Sequence, residues 1–167
     1  MTISIYDVSV PVFIERLGAL SHLLAKAEAN AAERKIDPQV FVSARLAPDM
    51  LPLTRQIQIA CDHAKGAAAR LAGRDVPKYE DNETSFADLQ ARIEKTVDFL
   101  KSVEAQELDG AEDRTISLAM RTRELSFPGK TYLLSFALPN FYFHITTAYA
   151  ILRHNGVPIG KMDFMGV

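Results

Sequence analysis

Histidine side chains are the first candidates for chemistry in this sequence, because a neutral imidazole is both a common metal ligand and a general base near pH 7. The sequence contains four of them: His22, His63, His144 and His154. A site needs several side chains in one cavity, so the value of each histidine depends on the helix face that it occupies. His63 and His144 are predicted to lie on or beside inward faces of two different helices.

His144 shares its predicted inward face with Asn140, which precedes it by one helical turn. The rest of that face is small or mainly apolar: Leu133, Ala137, Thr147, Ala148 and Ile151. Polar side chains in the middle of a core face need a hydrogen-bond partner or a ligand. Two polar residues at positions i and i+4 can converge on one ion, as paired helix ligands do in metal sites.

His63 lies about a quarter turn from the centre of a small-residue stripe on an earlier helix. If both rings enter one cavity, they form with the Asn140 amide a weak, open site for a divalent metal, which a water molecule or a substrate completes. In the alternative interpretation, each histidine is a core residue that hydrogen-bonds to a hydroxyl or a carbonyl group. The sequence leaves both interpretations open.

Other kinds of active site are not supported. We expect His22 to lie opposite the buried face of its helix. His154 lies about 15 Å along the helix from His144, which is too far for the two rings to share a site. Cys61 is the only cysteine and has no motif around it, so we expect a small core residue. We expect Asp62 to be a solvated helix charge, with a role as an outer partner of the site as the alternative. The glycines form neither a phosphate loop nor a dinucleotide-binding fingerprint.

The composition predicts a single domain spanning residues 1–167, of a size that buries a core without disulfides. The 19 Lys and Arg residues are balanced by 21 Asp and Glu residues, which argues against a nucleic-acid partner. The first residues lack the pattern of a secretion signal, and the most apolar window, 132–143, is too short to span a membrane. We therefore expect a cytoplasmic protein without a membrane segment.

Helical periodicity predicts four long helices, over residues 9–33, 53–72, about 85–103 and 130–155. The second helix should end at Gly73, and Thr84 or Ser85 should cap the third. Residues 106–129 alternate instead, which predicts a short extended or hairpin excursion before the last helix, with apolar positions at Ile116, Leu118, Met120, Leu125 and Phe127. The predicted fold is all-α, an antiparallel four-helix bundle.

Residues 138–157, LPNFYFHITTAYAILRHNGV, resemble the last helix of an uncharacterised bacterial family in the DinB/YfiT-like superfamily, and DHAKG at 62–66 extends the resemblance. The resemblance implies a four-helix bundle, a homodimer and a divalent metal held by three histidines. His63 and His144 match two of those ligands, whereas the third position holds Asn140. The departure implies a weakly held metal (Zn, Ni, Mn or Fe), or a pocket that has lost its metal.

Two functions are therefore expected. The first is a DinB-like cytoplasmic protein with an interior polar pocket at His63, Asn140 and His144 that acts as a metal-dependent hydrolase or transferase on a small molecule. The second is a non-enzymatic dimeric bundle, or a small-molecule binder without metal, in which the two histidines only hydrogen-bond in the core. The sequence names neither a substrate nor a reaction.

Overall fold

The computed structural model describes residues 3–119 and 122–167, which are mainly helical. The elements follow one another as α1 (Val10–Glu33), α2 (Pro38–Val42), α3 (Leu53–Ala72), α4 (Phe86–Lys101), a 3-10 turn (Ala105–Leu108), β1 (Thr115–Ala119), β2 (Glu124–Pro128), α5 (Gly129–Tyr132), a π-helical turn (Leu133–Ala137), α6 (Leu138–His154) and α7 (Lys161–Met165). The four predicted long helices are present, and the last is continuous from α5 through the π turn into α6.

Local sequence signals set the ends of α3 and α4. The Ser85 hydroxyl accepts a hydrogen bond from the Asp88 amide, and the Asp88 carboxylate accepts one from the Ser85 amide. This reciprocal pair satisfies two amide groups that the first turn of α4 would otherwise leave without partners. Helix α3 ends at Gly73, whose φ of 69° is in the left-handed region that favours glycine. Both predicted boundaries are confirmed.

Helix α3 packs against both α4 and α6, and α1 packs against α4. The buried face of α3 is lined by small residues: Ala60, Cys61, Ala64, Ala67 and Ala68. Because these side chains are short, the neighbouring helices can approach closely. Helix α1 is joined to α6 by an edge-to-face contact between Phe13 and Phe141, whose ring centroids are 4.9 Å apart.

The predicted excursion before the last helix is an antiparallel hairpin. Strand β1 pairs with β2 in a register that places Ile116 opposite Phe127 and Leu118 opposite Leu125. Ile116 and Leu118 are buried, so one face of β1 covers the helices. Met120, which the alternation also assigned to a strand, lies outside the described residues.

The π-helical turn precedes Pro139, the second residue of α6. Proline has no amide hydrogen, and its ring clashes with the carbonyl four residues earlier in a regular α-helix. A wider turn just before the proline relieves this conflict, and such turns are frequent at functional sites. The π turn places Phe136 and Asn140 beside the cavity described below.

The remaining segments cover the helices. Phe41 and Val42 of α2 are buried, so the long connection after α1 is ordered, as its apolar content predicts. Helix α7 packs on α1, and the Arg16 guanidinium donates hydrogen bonds to the carbonyl oxygens of Phe164 and Met165 at 3.1 and 2.6 Å. Within residues 3–119 and 122–167, no helix is both long and apolar enough to cross a lipid bilayer.

Candidate functional site

The two inward histidines meet where α3 packs against α6. The ring centroids of His63 and His144 are 5.8 Å apart, and the ring planes differ by 16°. Both side chains are half-buried. The prediction that these rings share one environment is therefore supported by their geometry, and the short side chains of α3 allow the helices to come this close.

Gln56 fixes the orientation of His144. The Gln56 Oε1 atom lies 2.7 Å from His144 Nδ1, while Gln56 Nε2 donates to the Leu51 carbonyl oxygen at 2.9 Å. Because a carbonyl oxygen only accepts hydrogen bonds, Nδ1 of His144 carries the proton. The Nε2 atom of His144 then keeps its lone pair, as a metal ligand or a base requires.

Sequence reasoning missed Gln56, although a signal was present. Gln56 precedes His63 by seven residues, which is two helical turns, so both lie on the same side of α3. Its side chain is 2% exposed, and a buried amide needs partners. The partner lies 88 residues away in the sequence, so the pairing itself is visible only in the structure.

Burial keeps both imidazoles neutral. Burial, together with the smaller effect of the neighbouring His144, lowers the pKa of His63 to about 4. Burial also lowers the pKa of His144. A neutral imidazole coordinates metal without first losing a proton, so these shifts favour metal binding at neutral pH.

Asn140 and His63 line the same cavity, which has a volume of about 490 Å³ and lies between α3, the π turn and strand β1. The Asn140 Nδ2 atom donates to the Phe136 carbonyl oxygen at 2.7 Å, so the Oδ1 atom remains available to accept a hydrogen bond or bind a cation. His144 does not line this cavity and lies beside His63 instead. The three predicted site residues are thus neighbours, but only two of them face the cavity.

The other two histidines lie elsewhere, as predicted. The His22 side chain is 58% exposed, and its Nε2 atom is 3.7 Å from a carboxylate oxygen of Asp163. His154 is exposed at the last residue of α6. Cys61 is fully buried, and burial raises the pKa of its thiol to about 12, which makes it a poor nucleophile.

Asp62 is a partly exposed helix charge, as expected, but it also pairs with two cations. Its carboxylate accepts hydrogen bonds from Lys65 Nζ at 2.7 Å and from Arg92 Nη2 at 2.9 Å. The Arg92 side chain is 2% exposed and also pairs with Asp81 and Glu83. Arg92 lies on the buried face of α4, and a charged residue on such a face indicates an ion pair with another element.

Comparison with known proteins identifies the family. The family model described as Domain of unknown function (DUF1993) matches residues 5–165. This chain belongs to the DUF1993 family. A crystal structure described as that of a DinB family member protein from Shewanella denitrificans is 41% identical, with a TM-score of 0.89, and the alignment covers 97% of this chain and 92% of that chain. No curated protein matches the chain. The resemblance to an uncharacterised DinB-like family is thus confirmed.

The donor atoms of this DUF1993 protein fit a weak metal site better than a structural one. Within the described part of the chain, no three His, Cys, Asp or Glu side chains are grouped to hold an ion. The available set is two neutral imidazoles and one amide oxygen, from His63, His144 and Asn140. With ring centroids 5.8 Å apart, a shared ion about 2 Å from each nitrogen requires the two ring edges, where the lone pairs lie, to face each other.

Proposed function

We propose that this DUF1993 protein is a DinB-like four-helix bundle that holds a divalent metal weakly at His63, Asn140 and His144 and acts on a small molecule as a hydrolase or transferase. The observation that carries the proposal is the stacked pair of neutral imidazoles at the interface of α3 and α6. The Gln56 contact supports the proposal because it fixes the tautomer in which Nε2 of His144 keeps the lone pair that a metal ligand needs.

Each side chain has a distinct role in the proposal. When bound, the metal, one of Zn, Ni, Mn or Fe, polarises a substrate group or lowers the pKa of a bound water molecule. Gln56 holds His144 in the tautomer that exposes Nε2. His63 lies beside His144 and lines the cavity, which Asn140 also lines.

The cavity supports a small-molecule substrate. Its volume of about 490 Å³ is within the range of about 300–1,000 Å³ that is typical of ligand pockets. Phe136 and Leu118 provide apolar surface, while His63, Asn140 and Ser117 provide polar groups at the same wall. A few directed polar groups on an apolar lining are what selective binding of a small ligand requires.

Metal content tests the proposal directly. The protein is purified without a nickel column and its transition metals are measured by elemental analysis, followed by thermal melts with added zinc or manganese. At about 100 times the dissociation constant, binding to the folded state alone adds about 2.7 kcal/mol of stability. We expect this gain to disappear in His144→Ala and to persist in the matched control His22→Ala.

The opposite result is equally clear. A metal content below about a tenth of an equivalent, with no rise in melting temperature on adding metal, contradicts the proposal. An equal response of His144→Ala and His22→Ala would contradict the assigned ligands even if some metal binds.

The amide at Asn140 supports a second function, a small-molecule binder without metal. An amide oxygen is a weak ligand for transition metals, which prefer imidazole and thiolate. In this proposal, His63 and His144 act only as hydrogen-bonding groups of the core and the cavity. Replacing His144 then lowers the melting temperature without changing the metal content.

We also propose a homodimer. Three apolar residues of the π turn and α6 are exposed: Leu134 at 46%, Tyr142 at 37% and Phe143 at 57%. Exposed apolar patches often mark an interface between proteins, and Tyr142 and Phe143 are adjacent in the chain. Sedimentation equilibrium should give twice the monomer mass of 18.5 kDa, and a monomer at all concentrations would contradict this.

A further inference from the structure

Arg70 brings a positive charge to the wall of the same cavity. Its side chain lines the cavity together with His63, and its Nη1 atom donates to the Tyr132 hydroxyl oxygen at 3.2 Å. Among the residues that the structure describes, no carboxylate pairs with Arg70. The acid at the cavity wall, Asp62, is already bound by Lys65 and Arg92. The charge of Arg70 is therefore available to a ligand.

Gly66 leaves room for the guanidinium of Arg70. A Cβ atom at residue 66 would lie 2.6 Å from Arg70 Nη1, closer than a carbon and a nitrogen can approach. The missing side chain lets Arg70 fold back along α3 by one turn. The arginine thus lies against its own helix, close enough to His63 for its charge to help lower the pKa of that imidazole.

Tyr132 adds a second donor beside the guanidinium. The phenol is 1% exposed, and burial raises its pKa, so it remains protonated. Its oxygen accepts the hydrogen bond from Arg70, and the described residues offer no acceptor for its own hydrogen. A guanidinium and a phenol O–H at one wall form a donor set suited to an oxyanion.

We propose that Arg70 and Tyr132 bind an oxyanion, either a carboxylate or a phosphate, carried by a small apolar group. This inference rests on the proposed function, because it names the substrate class of the same cavity. The planar fork of arginine matches the paired oxygens of both anions. Phe136 and Leu118 contact the apolar part, and the anion places the rest of the ligand beside His63 and Asn140.

Calorimetric titration of EDTA-treated protein tests the oxyanion site without any metal. Three probes of similar size are compared at constant ionic strength: benzoate, phenyl phosphate and the neutral benzyl alcohol. We expect at least one anion to bind at least about tenfold more tightly than the alcohol, because a hydrogen bond to a charged group is stronger than one between neutral groups. The tighter anion identifies the preferred head group.

Three variants assign the binding to this wall. Arg70→Gln should weaken the preferred anion at least about tenfold, and Tyr132→Phe, which keeps the buried ring, about threefold or more. Arg153→Gln, an exposed arginine on α6, is the matched control and should bind as the wild type does. Circular dichroism verifies the fold of each variant. If Arg70→Gln is unfolded, Tyr132→Phe alone decides.

The inference is overturned if neither anion binds better than benzyl alcohol, or if the variants at this wall bind as tightly as the control. Its failure is separate from that of the metal proposal, because the titration uses metal-free protein. Conversely, a protein that binds the anion but no metal keeps the oxyanion site and loses the metal-dependent activity.

Discussion

The neutral state of His63 leads to a quantitative prediction of how the free energy of unfolding changes as the pH falls. Burial favours the uncharged imidazole, so the folded metal-free protein binds this proton only near pH 4, whereas the unfolded chain binds it near the ordinary value of 6.5. The stability due to the neutral ring is therefore complete above about pH 6.5 and is lost as the pH falls toward 4.

The expected magnitude follows from the two pKa values. Between about pH 7.5 and about pH 5.5, proton uptake by the unfolded chain at this one residue lowers the free energy of unfolding by about 1.3 kcal/mol. Most carboxylates remain ionised in this range, since their ordinary pKa values are near 4. The loss is therefore attributable to histidine rather than to general acid denaturation.

Urea denaturation of EDTA-treated protein at these two pH values measures the effect. The variant His63→Gln cannot take up the proton, so it should lose about 1.3 kcal/mol less than the wild type over the same range. His22→Gln removes an exposed histidine and should lose as much stability as the wild type. Proton NMR of the His63 ring gives the pKa independently.

Two results would refute this reasoning. If His63→Gln and His22→Gln show the same dependence on pH, the burial of His63 does not perturb its titration. If the NMR titration of His63 has a midpoint near 6.5, the ring is solvated and the case for a neutral imidazole pair at this position fails.

Three further predictions concern the surroundings of the site. In Gln56→Leu, the His144 ring loses the hydrogen bond that fixes its tautomer, so zinc binding should weaken about tenfold or more. Competition with a chromophoric chelator measures the zinc affinity. An unchanged affinity would show that the glutamine does not orient the ring. Arg92→Met leaves Asp62 without one of its cations and should lower the free energy of unfolding, measured with urea, by about 2 to 3 kcal/mol. The loss is smaller than for a fully buried pair because the Asp62 side chain is 42% exposed. A loss below about 0.5 kcal/mol would contradict this prediction. Phe143→Ser should shift the sedimentation mass toward the monomer, and an unchanged dimer would place the interface elsewhere.

The sequence predicts the helices well because their signals are local. The capping pair at Ser85 and Asp88 and the left-handed Gly73 depend on residues within a few positions of each other. The alternation around Ile116 and Leu125 likewise predicts the hairpin, whose strands are adjacent in the chain. The inward positions of His63 and His144 follow from periodicity alone.

The parts of the site that the sequence does not predict depend on contacts between distant segments of the chain. Gln56 finds its partner on another helix, and Arg92 finds acids on α3 and on the connection before α4, so periodicity cannot name either pair. The same limit explains why the sequence does not reveal that Arg92 binds Asp62. The sequence does not single out Arg70, because an arginine on a helix is usually exposed and only the structure shows that this one lines a cavity.

The π turn also sets the rotational phase of α6. Each residue advances an α-helix by about 100°, and the wide π turn absorbs one extra residue that would otherwise rotate everything that follows by about a quarter of a circle. Tyr132 precedes the turn and Asn140 follows it, yet both reach the same cavity. If the same number of residues in Leu133–Ala137 wound as a regular α-helix, Asn140 and His144 would turn away from their neighbours on α3. The wide winding of this short segment keeps the two halves of the site aligned.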